Sequence, residues 1–127
     1  MSIIGVPTDS NSSFLRGPAS APEYIRRQLF SEMGNLATES GLEIGEDIDV
    51  KDLGDLPLLE QPADDEVIES AIVEALTSKN APLCLGGDHS ITFPILRGVS
   101  KAVGPVDILH FDAHPDLYDE YDGNRRS

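Results

Sequence analysis

The chain has 127 residues, 39% of them hydrophobic and 25% charged, which suits one domain, or part of one, with a modest core. Nine Lys and Arg against 23 Asp and Glu leave a net charge of −14, a balance that repels phosphate backbones and excludes nucleic acid as an expected partner. No apolar run nears the roughly 20 residues that span a bilayer, so no membrane partner is expected either.

Met1 leads straight into Ser2-Ile3-Ile4-Gly5-Val6 with no basic or amphipathic leader, and a cytoplasmic location is expected by default. Short β-branched runs then alternate with helical periodicity, the pattern of βαβ units around a parallel sheet. Ser2 to Val6 is the first predicted strand. Ser20-Ala21-Pro22-Glu23 reads as a capping box with Pro in the first turn of a short helix carrying Ile25, Leu29 and Phe30. Residues 37–46 read as a solvated loop, and Asp49 to Leu53 as the second strand.

Asp64 is positioned to cap a second helix, whose apolar residues Val67, Ile68, Ala71, Ile72, Ala75 and Leu76 share one face. Pro82 to Leu85 is the third strand. Cys84 inside it reads as a buried, inert thiol, and as the only cysteine it has no internal disulfide partner. A third helix is predicted after Ser90, with Ile95, Leu96, Val99, Ala102 and Val103 inward and a stop at Gly104-Pro105. Val106 to Phe111 is the fourth strand, and no helix is predicted after it. The expected fold is α/β: three layers, a parallel sheet with helices on both faces, cut short after the fourth strand.

Two segments carry chemistry. Gly86-Gly87-Asp88-His89-Ser90 follows the third strand and Asp112-Ala113-His114-Pro115-Asp116 follows the fourth. Both fall at carboxyl ends of strands, the edge where open α/β sheets bind ligands. On extended backbone Asp112, His114 and Asp116 leave on one face, about 6.6 Å apart, so they can flank one cation or reach two. Asp112, nearest the strand, is the expected bridge between ions. His89 adds a nitrogen from the neighbouring strand end, where the paired glycines let the backbone approach closely.

Hard carboxylates with some imidazole favour Mn²⁺, with Fe²⁺, Co²⁺ and Zn²⁺ as alternatives. Asp88 is expected to orient His89 or a loop amide instead of binding metal. His110, inside the predicted strand, is read as a packed histidine and left out of the ligand set. An Asp-x-His-x-Asp run standing alone is equally a polar loop. Its pairing with Gly-Gly-Asp-His-Ser is what points to a metal site.

That pair of segments, in that order, resembles the signature of the ureohydrolases, the arginase and agmatinase family. Gly5-Val6-Pro7, Asn11 to Pro18 and Asp55-Leu56-Pro57 add to the likeness, and Pro105 to Asp119 resembles the plant-type arginases and their bacterial relatives most. The resemblance implies manganese-dependent hydrolysis of a small guanidino substrate, arginine or agmatine, to urea and an amine, by an enzyme expected to be a homo-oligomer with two Mn²⁺ per site. It makes His89 and Asp116 ligands of one ion, His114 a ligand of the other, and Asp112 a ligand of both. Asp112 is thereby the residue that holds the attacking hydroxide. Asn124 resembles an asparagine that contacts a substrate carboxylate in arginases, and is equally a plain turn residue after Gly123.

The family's later Asp-x-Asp pair is missing, so four of six expected ligands are present. Residues 1–127 are accordingly expected to be the N-terminal part of a single ureohydrolase domain, active only within a longer parent. Two rivals stand beside this reading. Dinuclear phosphoesterases also use Asp-x-His, but place it before their Gly-Asp segments. A non-catalytic or regulatory domain of the same fold is the other.

Overall fold

The computed structural model describes residues 1–126. Three parallel strands, β1 (Ser2–Val6), β2 (Lys51–Asp55) and β3 (Pro82–Gly86), pair in the order β2-β1-β3. β1 is buried along its whole length, as a parallel strand covered on both faces must be, and hence reads as an unbroken apolar run. β2 and β3 lie at the edges and are more exposed. In β2, Gly54 has φ 77° where the β1–β2 register slips between Ile3 and Gly5, a bulge that a residue without Cβ accommodates.

Three helices, α1 (Ala21–Leu29), α2 (Asp64–Thr77) and α3 (Thr92–Val103), cover the sheet. Ile4 and Val6 point to α2 and α3, joining Ile68, Ile72, Ala75 and Ile91 in one core with Ile95 and Val99 at its margin. α2 and α3 cross closely at Gly98, where a Cβ would meet the Glu69 carbonyl and Ile72. Glu69 is buried there and is neutralised by Arg97 at 2.8 Å and by Lys101. On the opposite face, Arg26 of α1 lies over Gly5 to reach Asp52, Asp55 and the Gly54 carbonyl. The three layers of the sequence reading are therefore present.

Several details differ: β2 begins at Lys51 and runs to Asp55 instead of spanning Asp49 to Leu53, and Val103 of α3, expected inward, is exposed. Val106 to Phe111 is not a strand: among the described residues it has no ladder partner, and Ile108, Leu109 and Phe111 are exposed. An apolar run becomes a strand only against another strand's free hydrogen-bonding edge. The Ser20 to Glu23 capping box does not form, because Ser20 Oγ donates to the Gly17 carbonyl (2.7 Å) and makes no cap bond. Asp64 is the first residue of α2 and not its cap, and its carboxylate accepts instead from the Leu59 and Gln61 amides of the approach loop. Cys84 is half-buried, and burial pushes its thiol up to about 11, so it stays protonated near neutrality.

Asp9, after β1, is buried and accepts from the Gly17 amide (2.6 Å) and the Ala19 amide (3.1 Å), with Arg16 beside it. The Ala19 and Gly17 bonds, aided by Arg16, hold its carboxyl below the ordinary 3.8. A folded value below the unfolded one gives stability that is complete above about pH 4 and is lost as pH falls through the folded value. Asp9→Asn is expected to lower the melting temperature at neutral pH and to flatten its fall on acidification. Thermal scans from pH 7 to pH 2 check this, and parallel acid limbs for the two proteins would refute it.

Candidate functional site

Strand order β2-β1-β3 sends the chain to opposite sides of β1, and the loops leaving the carboxyl ends of β1 and β3 open a crevice between them. The β3 loop is pinned to the β1 loop by backbone bonds. Gly87 N donates to the Val6 carbonyl (3.2 Å) and Asp88 N to the Thr8 carbonyl (3.0 Å). A Cβ on Gly87 would stand against the Thr8 carbonyl oxygen, far inside contact distance. This close approach places His89, which opens the single helical turn His89–Ile91 ahead of α3.

Asp88 sits at the cap of that turn. One oxygen accepts from Ser90 N (3.0 Å) and Ser90 Oγ (2.5 Å), and the other from Asn11 N (2.8 Å). Both of its oxygens are engaged by the loop, so it organises the backbone that carries His89.

His89 Nδ1 contacts the Asp116 carboxylate and lies 3.8 Å from Asp112 Oδ2. His110 Nε2 is 3.6 Å from that same Asp112 oxygen, and the His89 and His110 rings are 5.3 Å apart. One donor atom from each of His89, His110, Asp112 and Asp116 falls within 4.8 Å of the others. His114 lies on the other side of Asp112, with Nδ1 3.6 Å from Oδ1, and is largely exposed. Asp112 thus turns one oxygen to His89 and His110 and the other to His114.

This is not the extended geometry expected of residues 112–116. Asp112 Oδ1 accepts from the His114 amide (2.8 Å), closing a turn, and Asp116 has φ 50°. With no strand over residues 106–111, His110 is not held as a packed strand residue and is exposed. His110, left out of the expected ligand set, lies within this group, and its i, i+2 relation to Asp112 is the sequence signal for it. The His114 amide bond, aided by the three imidazoles, holds the Asp112 carboxyl below its ordinary value, so it is a ready anion at neutral pH. Two imidazole nitrogens and two carboxylates converging without a Lys or Arg among them form a donor set that fits a divalent transition cation better than Ca²⁺ or a structural zinc.

Asn124 stands apart from this group. Its Nδ2 donates to Asn11 Oδ1 (3.2 Å), its Oδ1 accepts from the Arg126 amide (2.8 Å), and its backbone closes a turn with Tyr121.

Comparison with known proteins bears on the family and the fold. The arginase family model matches residues 1–127. Arginase 1, mitochondrial, of Arabidopsis thaliana is 45% identical over 99% of this chain and 40% of its own length, and an agmatinase of Blochmanniella floridana is 36% identical over 92% and 40%. The chain thus spans about 40% of the length of these relatives. The solved arginase from Medicago truncatula superposes with a TM-score of 0.90 at 39% identity, over 99% of this chain and 42% of that one. A match over the full chain, carried by the same parallel three-layer fold, places the chain in the arginase family.

Proposed function

We propose that the protein hydrolyses a guanidino compound, arginine or agmatine, to urea and an amine, with Mn²⁺ held by residues of this chain. The observation that carries the reading is Asp112, whose two oxygens face separate imidazole groups, His89 and His110 on one side and His114 on the other. A carboxylate so placed suits a bridge between two cations. His89 and Asp116 are the terminal donors on the first side and His114 the donor on the second. Such cations, when bound, supply Lewis acidity and make a water acidic enough to attack at neutral pH.

The chain's own residues do the rest of what can be assigned. Asp112 and Asp116 supply negative charge that offsets that of the cations they would hold. Asp88 and Asn11 keep the His89 loop fixed, so its nitrogen need not be reorganised on binding. Because the chain spans about 40% of its relatives' length, the proposal concerns these residues acting with the counterpart of the remainder.

Dialysis against a chelator is expected to abolish urea release from both substrates, and Mn²⁺ to restore it more fully than Mg²⁺. Urea release that survives complete metal removal would overturn the reading.

A further inference from the structure

Sixty-one residues after Asp65 in the chain, Arg126 ties the first turn of α2 to the turn that carries His89. Its guanidinium forms a two-pronged pair with Asp65 in the first turn of α2 (2.6 and 2.9 Å). It also donates to the Ser90 carbonyl (3.1 Å) and lies 4.6 Å over the Phe93 ring in the first turn of α3. Ser90 follows His89 directly, and its hydroxyl is held in turn by Asn11 Nδ2 (3.2 Å). Asn11 also accepts from Asn124, whose Oδ1 receives the Arg126 amide. The backbone bonds through Gly87 and Asp88 fix the entry to the His89 turn. Arg126 fixes its exit.

We propose that Arg126 is a positioning residue, which holds the Ser90 carbonyl and the start of α3 so that the His89 nitrogen stays beside Asp112 and Asp116. A planar fork on a ring face and a carboxylate is preorganised in a way that a lysine cannot reproduce. The role rests on the reading of His89 as a metal donor given above. It also has a sign that simple electrostatics does not share. Removing a cation, and freeing the Asp65 carboxylate, makes the neighbourhood more negative, and Coulomb attraction alone then predicts tighter cation binding. Loss of positioning predicts weaker binding.

The test is titration of the metal-free protein with Mn²⁺, followed by the electron paramagnetic resonance of free ion, for wild type, Arg126→Ala and Arg126→Gln, with thermal unfolding of each metal-free protein. The expected result is about a tenfold loss of affinity for Arg126→Ala, the lower end of what removing a ligand's supporting partner costs. A smaller loss is expected for Arg126→Gln, which can still donate to the Ser90 carbonyl. If the alanine variant does not fold, the glutamine variant decides alone, and a loss in a protein that unfolds cooperatively supports the role. Unchanged or tighter binding in a folded variant overturns it. Wild type that takes up no Mn²⁺ overturns the metal reading itself, and the role with it, before any variant is compared.

Discussion

Asp112→Asn is expected to weaken Mn²⁺ binding and urea release more than His89→Ala does, although it changes no volume. The His114 amide donates to Asp112 Oδ1, and an asparagine keeps that bond only by presenting its carbonyl there. Its NH₂ group then occupies the Oδ2 position, facing His89 and His110. A donor pointing where a cation should sit is repulsive, and the anionic charge shared by both sides of the site is gone. The loss in affinity should exceed the roughly 10–100-fold that deleting a hydrogen-bonding partner of a ligand costs. His89→Ala removes one nitrogen and leaves Asp112, Asp116 and His110 in place. Parallel Mn²⁺ titrations of the two variants, with urea release measured from arginine and agmatine, check the ranking. An Asp112→Asn protein that binds like wild type would exclude the bridging role.

Gly87→Ala is expected to damage fold and site at once. The added methyl would meet the Thr8 carbonyl, a backbone atom that cannot rotate away, so the β3 loop must lift off β1 and strain the bonds from Gly87 and Asp88. Overpacking of this kind costs about 1–3 kcal/mol, which lowers the melting temperature by several degrees in a domain of this size. His89 moves with the loop, and cation affinity should fall in the same variant. The neighbouring Gly86→Ala serves as the control, because its methyl meets the end of the flexible Ile91 side chain. Equal melting temperatures and affinities for the two variants would contradict the pinning of the loop.

Much of this architecture is legible in the sequence because local pattern and tertiary burial agree. Ser2–Val6 reads as a continuous apolar run and is buried on both faces, and the face of Ile68, Ile72 and Ala75 is the face that packs. Asp88 could be assigned to the loop because a carboxylate at a helical start finds amides to accept. Where the sequence misleads, contacts that local pattern does not show decide the outcome. Val106 to Phe111 has the composition of a strand but pairs with no strand among the described residues. His110 reads as a packed histidine only if residues 106–111 form a strand, and they do not. Ser20 lost its cap bond to the Gly17 carbonyl, a choice that spacing does not reveal. Arg126 gives no local sign of its role, since Asp65, Ser90 and Phe93 are brought to it by the fold alone.

Whether Asp112 stands between two cation positions is tested most directly by a crystal of the protein grown with Mn²⁺ and measured at the manganese absorption edge. Anomalous density is expected against Asp112 Oδ2 on the side of His89 and Asp116, with a second peak against Oδ1 on the side of His114. Density that avoids Asp112, or none under conditions where the protein releases urea, would contradict it.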